Sequence, residues 1–279
     1  MRGLNQGTVT ATGAELFYEE RGDGPPVLII QGGVSEAGAT EQLAEALAHA
    51  YRVISYDRRG LSRSAVSDET LPATMSRHAE DAAVLLAALA TEPAHVVGAS
   101  IGALTALHLA VQHPERVATL VAHEPPMAAV VKDHEREEAL DQIAELARKD
   151  VRAAIRRMGS LTGGRQSTTE DGARSAPPVG DIDANLRRFF GHDFPAVRAS
   201  QLTTGQIAAA RSASAIVPTG GIESRGQWEY RCAHKLAQDL QRDLEEMPGG
   251  HNGLISHPWA TARKLDFLFR NARTHVTAV

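Results

Sequence analysis

The sequence predicts an α/β fold, with a mostly parallel central sheet, helices on both faces and one helical insertion. Three observations carry that expectation. Short apolar runs of strand length alternate with longer stretches of helical period, joined by brief links. The alternation stops near residue 127 and resumes near 213, and the chain between is polar, charged and helical in pattern. Where the alternation holds, a Gly-x-Ser-x-Gly turn, Gly98 to Gly102, joins a valine-rich run to an alanine- and leucine-rich one. Ligands of such sheets bind beyond the C-terminal ends of the strands.

Residues 14–20 (AELFYEE) and 27–31 (VLIIQ) read as strands, and the RGDGPP between them reads as the turn of a hairpin. Leu43, Ala46 and Leu47 recur at helical spacing within 36–50. The run YRVISYD gives a strand ending at Asp57, followed by the loop RRGLSRSAVSDET. A helix is expected at 74–91, a buried strand at 94–99 (AHVVGA), a helix at 101–113 stopped by Pro114, and a strand at 117–123 (VATLVAH). The insertion follows, with the helical VKDHEREEALDQIAELARKDVRAAIRRM and the flexible TGGRQSTTEDGARSAPPVGD. SAIVPTGG (strand), QWEYRCAHKLAQDL (helix), RDLEEMPGG (short strand) and PWATARKLDFLFRNA (helix) complete the pattern. The expected organisation is a core of residues 1–126 and 213–279 carrying a cap of residues 127–212.

Composition excludes several classes. The 279 residues are 43% hydrophobic and 23% charged, enough to bury a sizeable core and too apolar for a disordered chain. A formal net charge of −5 supplies no basic footprint for nucleic acid. One cysteine, Cys232, allows no intrachain disulfide, so a bridge-stabilised secreted scaffold is excluded. The N-terminal stretch has no apolar core, and no run of 18 apolar residues occurs. A soluble, unprocessed, cytoplasmic protein is expected, with no membrane partner. No HExxH and no cysteine pair suggests a metal site, and GGRQST lacks the lysine of a phosphate loop, so no metal and no cofactor are expected.

The Gly-x-Ser-x-Gly pattern is weak by itself in a chain with 24 glycines, and its position gives it meaning. On a sharp strand-to-helix turn, Ser100 is strained, its hydroxyl stands over the sheet edge, and the helix N-terminus aims free N–H groups at any oxyanion formed there. A serine nucleophile needs a base, most often histidine held by a carboxylate. Of twelve histidines, His49, His78, His95, His108, His113 and His234 fall in or at the ends of expected helices and strands, where surface or capping roles suffice. His251 lies in the glycine-rich loop MPGGHNGLISHP at the functional edge of the sheet, with His257 as the alternative. Two glutamates end strands in the right region, Glu124 in LVAHEPP and Glu223 in VPTGGIES, and both preserve the order serine, acid, histidine. The prolines after Glu124 fix its direction, whereas Glu223 sits in a less constrained, glycine-flanked loop.

This layout resembles the α/β-hydrolase superfamily over nearly the whole chain. YDRRGLSRS resembles its Asp-x-x-Gly-x-x-x-Ser loop, with Ser62 where glycine is more common, and PVLIIQGG resembles its oxyanion loop, with Gln31 in place of the usual histidine. The resemblance implies oxyanion donors on the main chain of Gly33 or Val34, beside Gly32, together with Ile101. A narrower resemblance is to zearalenone lactonases, in the nucleophile turn, in a His-Glu-x-Pro segment matching His123 to Pro126, and in the Pro-Gly-x-His loop followed by Ser-His-Pro, matching Pro248 to His251 and Ser256 to Pro258. In that branch the acid comes from the His-Glu-x-Pro segment, which implies Glu124; many other members place it after the later strand, where Gly220 to Glu223 fits.

The expected activity is a serine hydrolase cleaving an ester or lactone of a small, largely apolar molecule through an acyl-enzyme. Thioesterase, perhydrolase and carbon–carbon hydrolase chemistry share the machinery, and a non-catalytic receptor for a small ligand is the rival outside enzymology. Serine at position 100 argues against epoxide hydrolase or dehalogenase chemistry, which uses an aspartate. Phe189, Phe190 and Phe194, half of the six phenylalanines, are read as cap packing or as part of an apolar substrate pocket. Trp228 and Trp259 are read as packing, and KDHEREE as a solvated helix face. Beyond the substrate, the one partner considered is a second copy of the chain, in a homodimer.

Overall fold

The computed structural model describes residues 3–162, 168–175, 180–210 and 215–272. Most of GGRQST, part of the stretch expected to be flexible and the expected boundary at 212/213 lie outside the described residues.

Nine strands form one sheet: β1 (Asn5–Ala11), β2 (Ala14–Arg21), β3 (Pro26–Ile30), β4 (Arg52–Tyr56), β5 (Ala65–Val66), β6 (Ala94–Ala99), β7 (Val117–His123), β8 (Ala215–Gly221) and β9 (Glu245–Met247). Their order is β1-β2-β4-β3-β6-β7-β8-β9, with β5 paired to β2. From β4 to β9 every neighbouring pair is parallel, and β1 and β2 are antiparallel additions at one edge. The hairpin expected between residues 14–20 and 27–31 is therefore corrected. β2 turns back on β1 through Thr12 and Gly13, whose φ is +72°, while β4 stands between β2 and β3. The reason is burial: Val27 to Ile30 are all fully buried, which suits a central strand covered on both faces.

Period-two alternation sends the side chains of each central strand to two separate clusters. Leu28, Ile30, Val96, Leu120, Ala122 and Ile216 pack with α2 (Met75–Leu89), α3 (Ile101–Gln112), α8 (Thr204–Ala210) and α9 (Trp228–Asp239). Val27, Ile29, Val53, Val97 and Val121 pack on the other face with α1 (Glu41–Leu47) and α11 (Pro258–Ala272). The observed α2, α3, α9 and α11 lie where their periodicity predicts them, within two residues at each end. α10 (Gly253–Ser256) is a single turn before α11.

Between β7 and β8 lie α4 (His134–Ala147), α5 (Val151–Leu161), α6 (Ile182–Arg188), a π-helical turn at Phe189–Asp193, α7 (Phe194–Ala199) and α8. Asp133, Asp150 and Asp181 cap α4, α5 and α6 with side-chain oxygens on backbone N–H groups of the first turn. Leu140, Ile143, Ala154, Leu186, Phe189, Phe190 and Phe194 form a cluster of their own, whereas Ala196, Leu202 and Ile207 already pack into the core beside α3. The loop after β4 anchors this helical layer. Ser62 adopts φ +49°, which explains why glycine is common at that position, and its N–H and hydroxyl both bond the Asn185 amide.

Candidate active site

Four non-glycine residues among those described have φ in the left-handed region, and two of them are Ser100 (+53°) and Glu124 (+50°). Such conformations cost roughly 1–3 kcal/mol each and persist where surrounding structure imposes them. For Ser100 the imposition is legible in its glycines. A Cβ on Gly98 would lie 2.3 Å from the Gly102 carbonyl, and one on Gly102 would lie 2.0 Å from the Ile30 carbonyl. Only glycine lets α3 start this close to β3 and β6. The Ser100 N–H donates to the His123 carbonyl at 2.9 Å, and the Ser100 carbonyl takes the first bonds of α3, from Ala103 at 2.9 Å and Leu104 at 3.1 Å.

Glu124 follows the last residue of β7 and is fully buried. Its N–H donates to the Thr219 carbonyl of β8 at 3.0 Å. Its carboxylate takes three donors: the Gly221 N–H at 2.8 Å and the Ser224 hydroxyl on Oε1, and His251 Nδ1 on Oε2 at 2.7 Å. Burial alone would raise its pKa. The hydrogen bond from His251 and the neighbouring histidines prevail and hold it at about 2. Burial would likewise lower the pKa of His251, but the bond to Glu124 and the negative charges of Glu229 and Glu124 raise it overall. With Nδ1–H given to the carboxylate, neutral His251 carries its lone pair on Nε2. His123, fully buried, is pushed towards the neutral form by burial and donates Nε2–H to the Gly250 carbonyl at 3.3 Å. It thereby braces the loop that carries His251.

Ser100 and His251 line one cavity of about 340 Å³, together with Gly32, Gly33, Val34 and Ile101. The alternative acid and base lie elsewhere. Glu223 accepts from Thr168, through the N–H at 2.9 Å and the hydroxyl, and His257 bonds Ser256 at 2.9 Å and Thr168 at 3.3 Å at the start of α11. Of the three phenylalanines, Phe189 and Phe194 stand in the cavity wall. Phe190 does not: it packs against both rings, at 5.2 and 5.7 Å, and faces a separate groove of about 690 Å³.

Several residues in or beside the site were not singled out from sequence. Trp228, read as packing, is in the cavity wall, as are Arg136 and its ion-pair partner Glu229. Ser224 donates to Glu124, in the loop that sequence reading offered as an acid site. Arg58, Asp193 and His78 form a buried cluster behind the Gln31 to Val34 loop, although His78 reads as a surface position on its helix. Only Arg58 sits in a recognisable motif, and its partner is 135 residues away. Among the described residues, no group of three or more His, Cys, Asp or Glu side chains is placed to hold a metal ion, and no helix is long and apolar enough to cross a membrane.

A family model described as alpha/beta hydrolase fold matches residues 25–278. The Bacillus subtilis (strain 168) protein named uncharacterized hydrolase YraK is 30% identical over 274 residues, 98% of each chain. Among solved structures, a thermophilic esterase from Thermogutta terrifontis aligns with TM-score 0.70 and 21% identity, over 97% of this chain and 99% of that one. Est816, described as an N-acyl homoserine lactone degrading enzyme, aligns with TM-score 0.65 and 22% identity, over 95% and 99%. At these identities the two structures speak to the fold.

Proposed function

The chain belongs to the α/β-hydrolase family and is a hydrolase of that type; on that premise we propose that it cleaves a carboxylic ester or lactone of a small, largely apolar molecule, with Ser100 as nucleophile. The observation that carries this reading is the 2.7 Å bond from His251 Nδ1 to the buried Glu124 carboxylate, with His251 on the wall of the cavity that Ser100 also lines. Nε2 of His251 takes the Ser100 proton as Oγ attacks the carbonyl carbon, and Glu124 stabilises the imidazolium that forms. The tetrahedral oxyanion is held by main-chain N–H groups of Ile101 and of the Gly32 to Val34 loop, each worth on the order of 3 kcal/mol. Collapse expels the alcohol, which takes the proton from His251. Water, activated by the same nitrogen, then attacks the acyl-enzyme and releases the carboxylic acid. Every group required is a side chain or amide of the chain, so the reading needs no cofactor.

The apolar character of the substrate rests on the cavity wall, where Leu140 and Ile155 of the proposed cap meet Phe189, Phe194 and Trp228. Lactones enter through the motif resemblance to zearalenone lactonases, and thioesters would serve the same machinery. Hydrolysis of nitrophenyl esters and labelling by a fluorophosphonate test the nucleophile. Ser100→Ala should abolish both, and undiminished turnover in that variant would sink the assignment. A panel of lactones, linear esters and thioesters then ranks the substrate classes.

A further inference from the structure

We propose that Arg58 and Asp193 are positioning residues of the oxyanion hole: the guanidinium holds two peptide planes of the Gln31 to Val34 loop, and the cap carboxylate holds the guanidinium. The proposal rests on the reading of that loop as oxyanion donor given above.

Arg58 is fully buried. Its Nη1 donates to the Gln31 carbonyl at 2.8 Å, and its Nη2 donates to the Gly33 carbonyl and to Asp193 Oδ2, the latter at 3.1 Å. His78 Nε2 meets the other Asp193 oxygen at 3.1 Å. A peptide unit is planar and trans, so a fixed carbonyl fixes the N–H on its far side. Holding the Gln31 carbonyl therefore orients the Gly32 N–H, and holding the Gly33 carbonyl orients the Val34 N–H. The plane between them is closed by the Ser35 N–H on the Gly32 carbonyl at 3.0 Å. The Gln31 side chain anchors the start of the segment by donating to Thr40 Oγ1 at 2.7 Å. Gly33 has φ +46° and open space where a Cβ would point, so no side-chain packing of its own sets its conformation.

Burying an arginine is costly unless its charge and donors are met, and Asp193 meets the charge. That carboxylate ends the π-helical turn of the cap, between Phe189 and Phe194 of the cavity wall. A π turn is rare and occurs frequently at functional sites. Here it aims the carboxylate at Arg58 while it presents the rings to the cavity. One structural unit thus sets both the substrate wall and the direction of the oxyanion donors.

The test compares parent, Arg58→Met, Arg58→Lys, Asp193→Asn and the Arg58→Met/Asp193→Asn double variant on one nitrophenyl ester. Each is also titrated with a trifluoromethyl ketone, which adds Ser100 Oγ to form an oxyanion, and with the ether analogue of the ester, which has no carbonyl. In Arg58→Met, kcat should fall about 100-fold with KM within about threefold, on the scale of losing one oxyanion donor. Ketone affinity should fall by the same factor and ether affinity should hold; Arg58→Lys should recover part of the loss. The double variant removes both buried charges and keeps the test available should Arg58→Met fail to fold. A folded Arg58→Met or double variant with kcat within about threefold of parent overturns the proposal, as does equal loss of ketone and ether binding. Full turnover by Ser100→Ala overturns both this proposal and the reading it rests on, whereas an inactive Ser100→Ala beside an indifferent Arg58→Met overturns this proposal alone.

Discussion

Glu124 enters the site from a left-handed backbone conformation, fixed by its N–H on Thr219 and by a carboxylate with three donors. Glu223 spends its carboxylate on Thr168 instead. Glu124→Ala should therefore reduce kcat on the order of 10⁴-fold, as loss of the acid does in other triads, while Glu223→Ala stays within about twofold. A Glu124→Ala enzyme of parental kcat would remove the acid from the mechanism. The pH profile gives a second reading of the same residue. As the proposed base, His251 works only when neutral, and its pKa lies above the ordinary 6.5, so kcat/KM should fall on acidification through a limb centred above that value. In Glu124→Gln the carboxylate charge is gone, burial prevails, and the limb should move to lower pH. Ser100, the proposed nucleophile, is legible from a local pattern, and His251, the proposed base, from its loop. The proposed acid needs more: both glutamates fit the chain order, and what separates them is a long-range contact to His251, 127 residues apart, that no window of sequence contains.

At the scale of elements, the π-helical turn and α7 place Phe194 where it belongs to two walls at once, those of the 340 Å³ cavity and the 690 Å³ groove. Glu137 and Arg198, which ion-pair at 3.2 Å, are the other residues common to both. These three residues are the wall shared by the two. Phe194→Ala should open it and shift the preferred acyl length of a nitrophenyl ester series upwards by several carbons, with kcat/KM on acetate within about tenfold of parent. An unchanged chain-length profile would count against the ring as a partition. Sequence periodicity found the central strands and the long helices because each buries a face that period two or 3.6 exposes directly. It missed β1, whose residues 5–11 (NQGTVTA) are mostly exposed or half-buried and show little apolar contrast. It also mispaired β2 with β3, because the choice of neighbour depends on β4, which arrives only after the α1 crossover. The π turn left no signal, since its pattern of two adjacent phenylalanines and a third is also that of an ordinary helix.

Over the whole molecule, the helical layer is held to the sheet by polar contacts of very different depth. Arg188 with Glu69, at 2.9 Å, leaves its carboxylate in water and is worth little at physiological salt. Asp193 is different: buried between Arg58 and His78, it joins the layer to the core where water cannot screen it. Burial would raise its pKa, yet the charges of His78 and Arg58 hold it at about 2, below the ordinary 3.8. Glu124, which ties β7 and β8 to the His251 loop, also sits at about 2, below the ordinary 4.5. Both groups bind protons more tightly in the unfolded chain, so their contribution is complete above the ordinary carboxylate range and is lost as pH falls towards 2. On the order of 2–3 kcal/mol for each would disappear in that window. Urea unfolding should thus show a stability plateau from neutral pH to about 5, then a steep decline towards pH 2. Glu124→Gln and Asp193→Asn should each start lower at neutral pH and decline less steeply, because each has removed one of the two protons that acid must add. The two losses should also add, since the groups sit in different networks, one on the sheet edge and one in the helical layer. A parental decline preserved in both variants would move the acid sensitivity to other carboxylates.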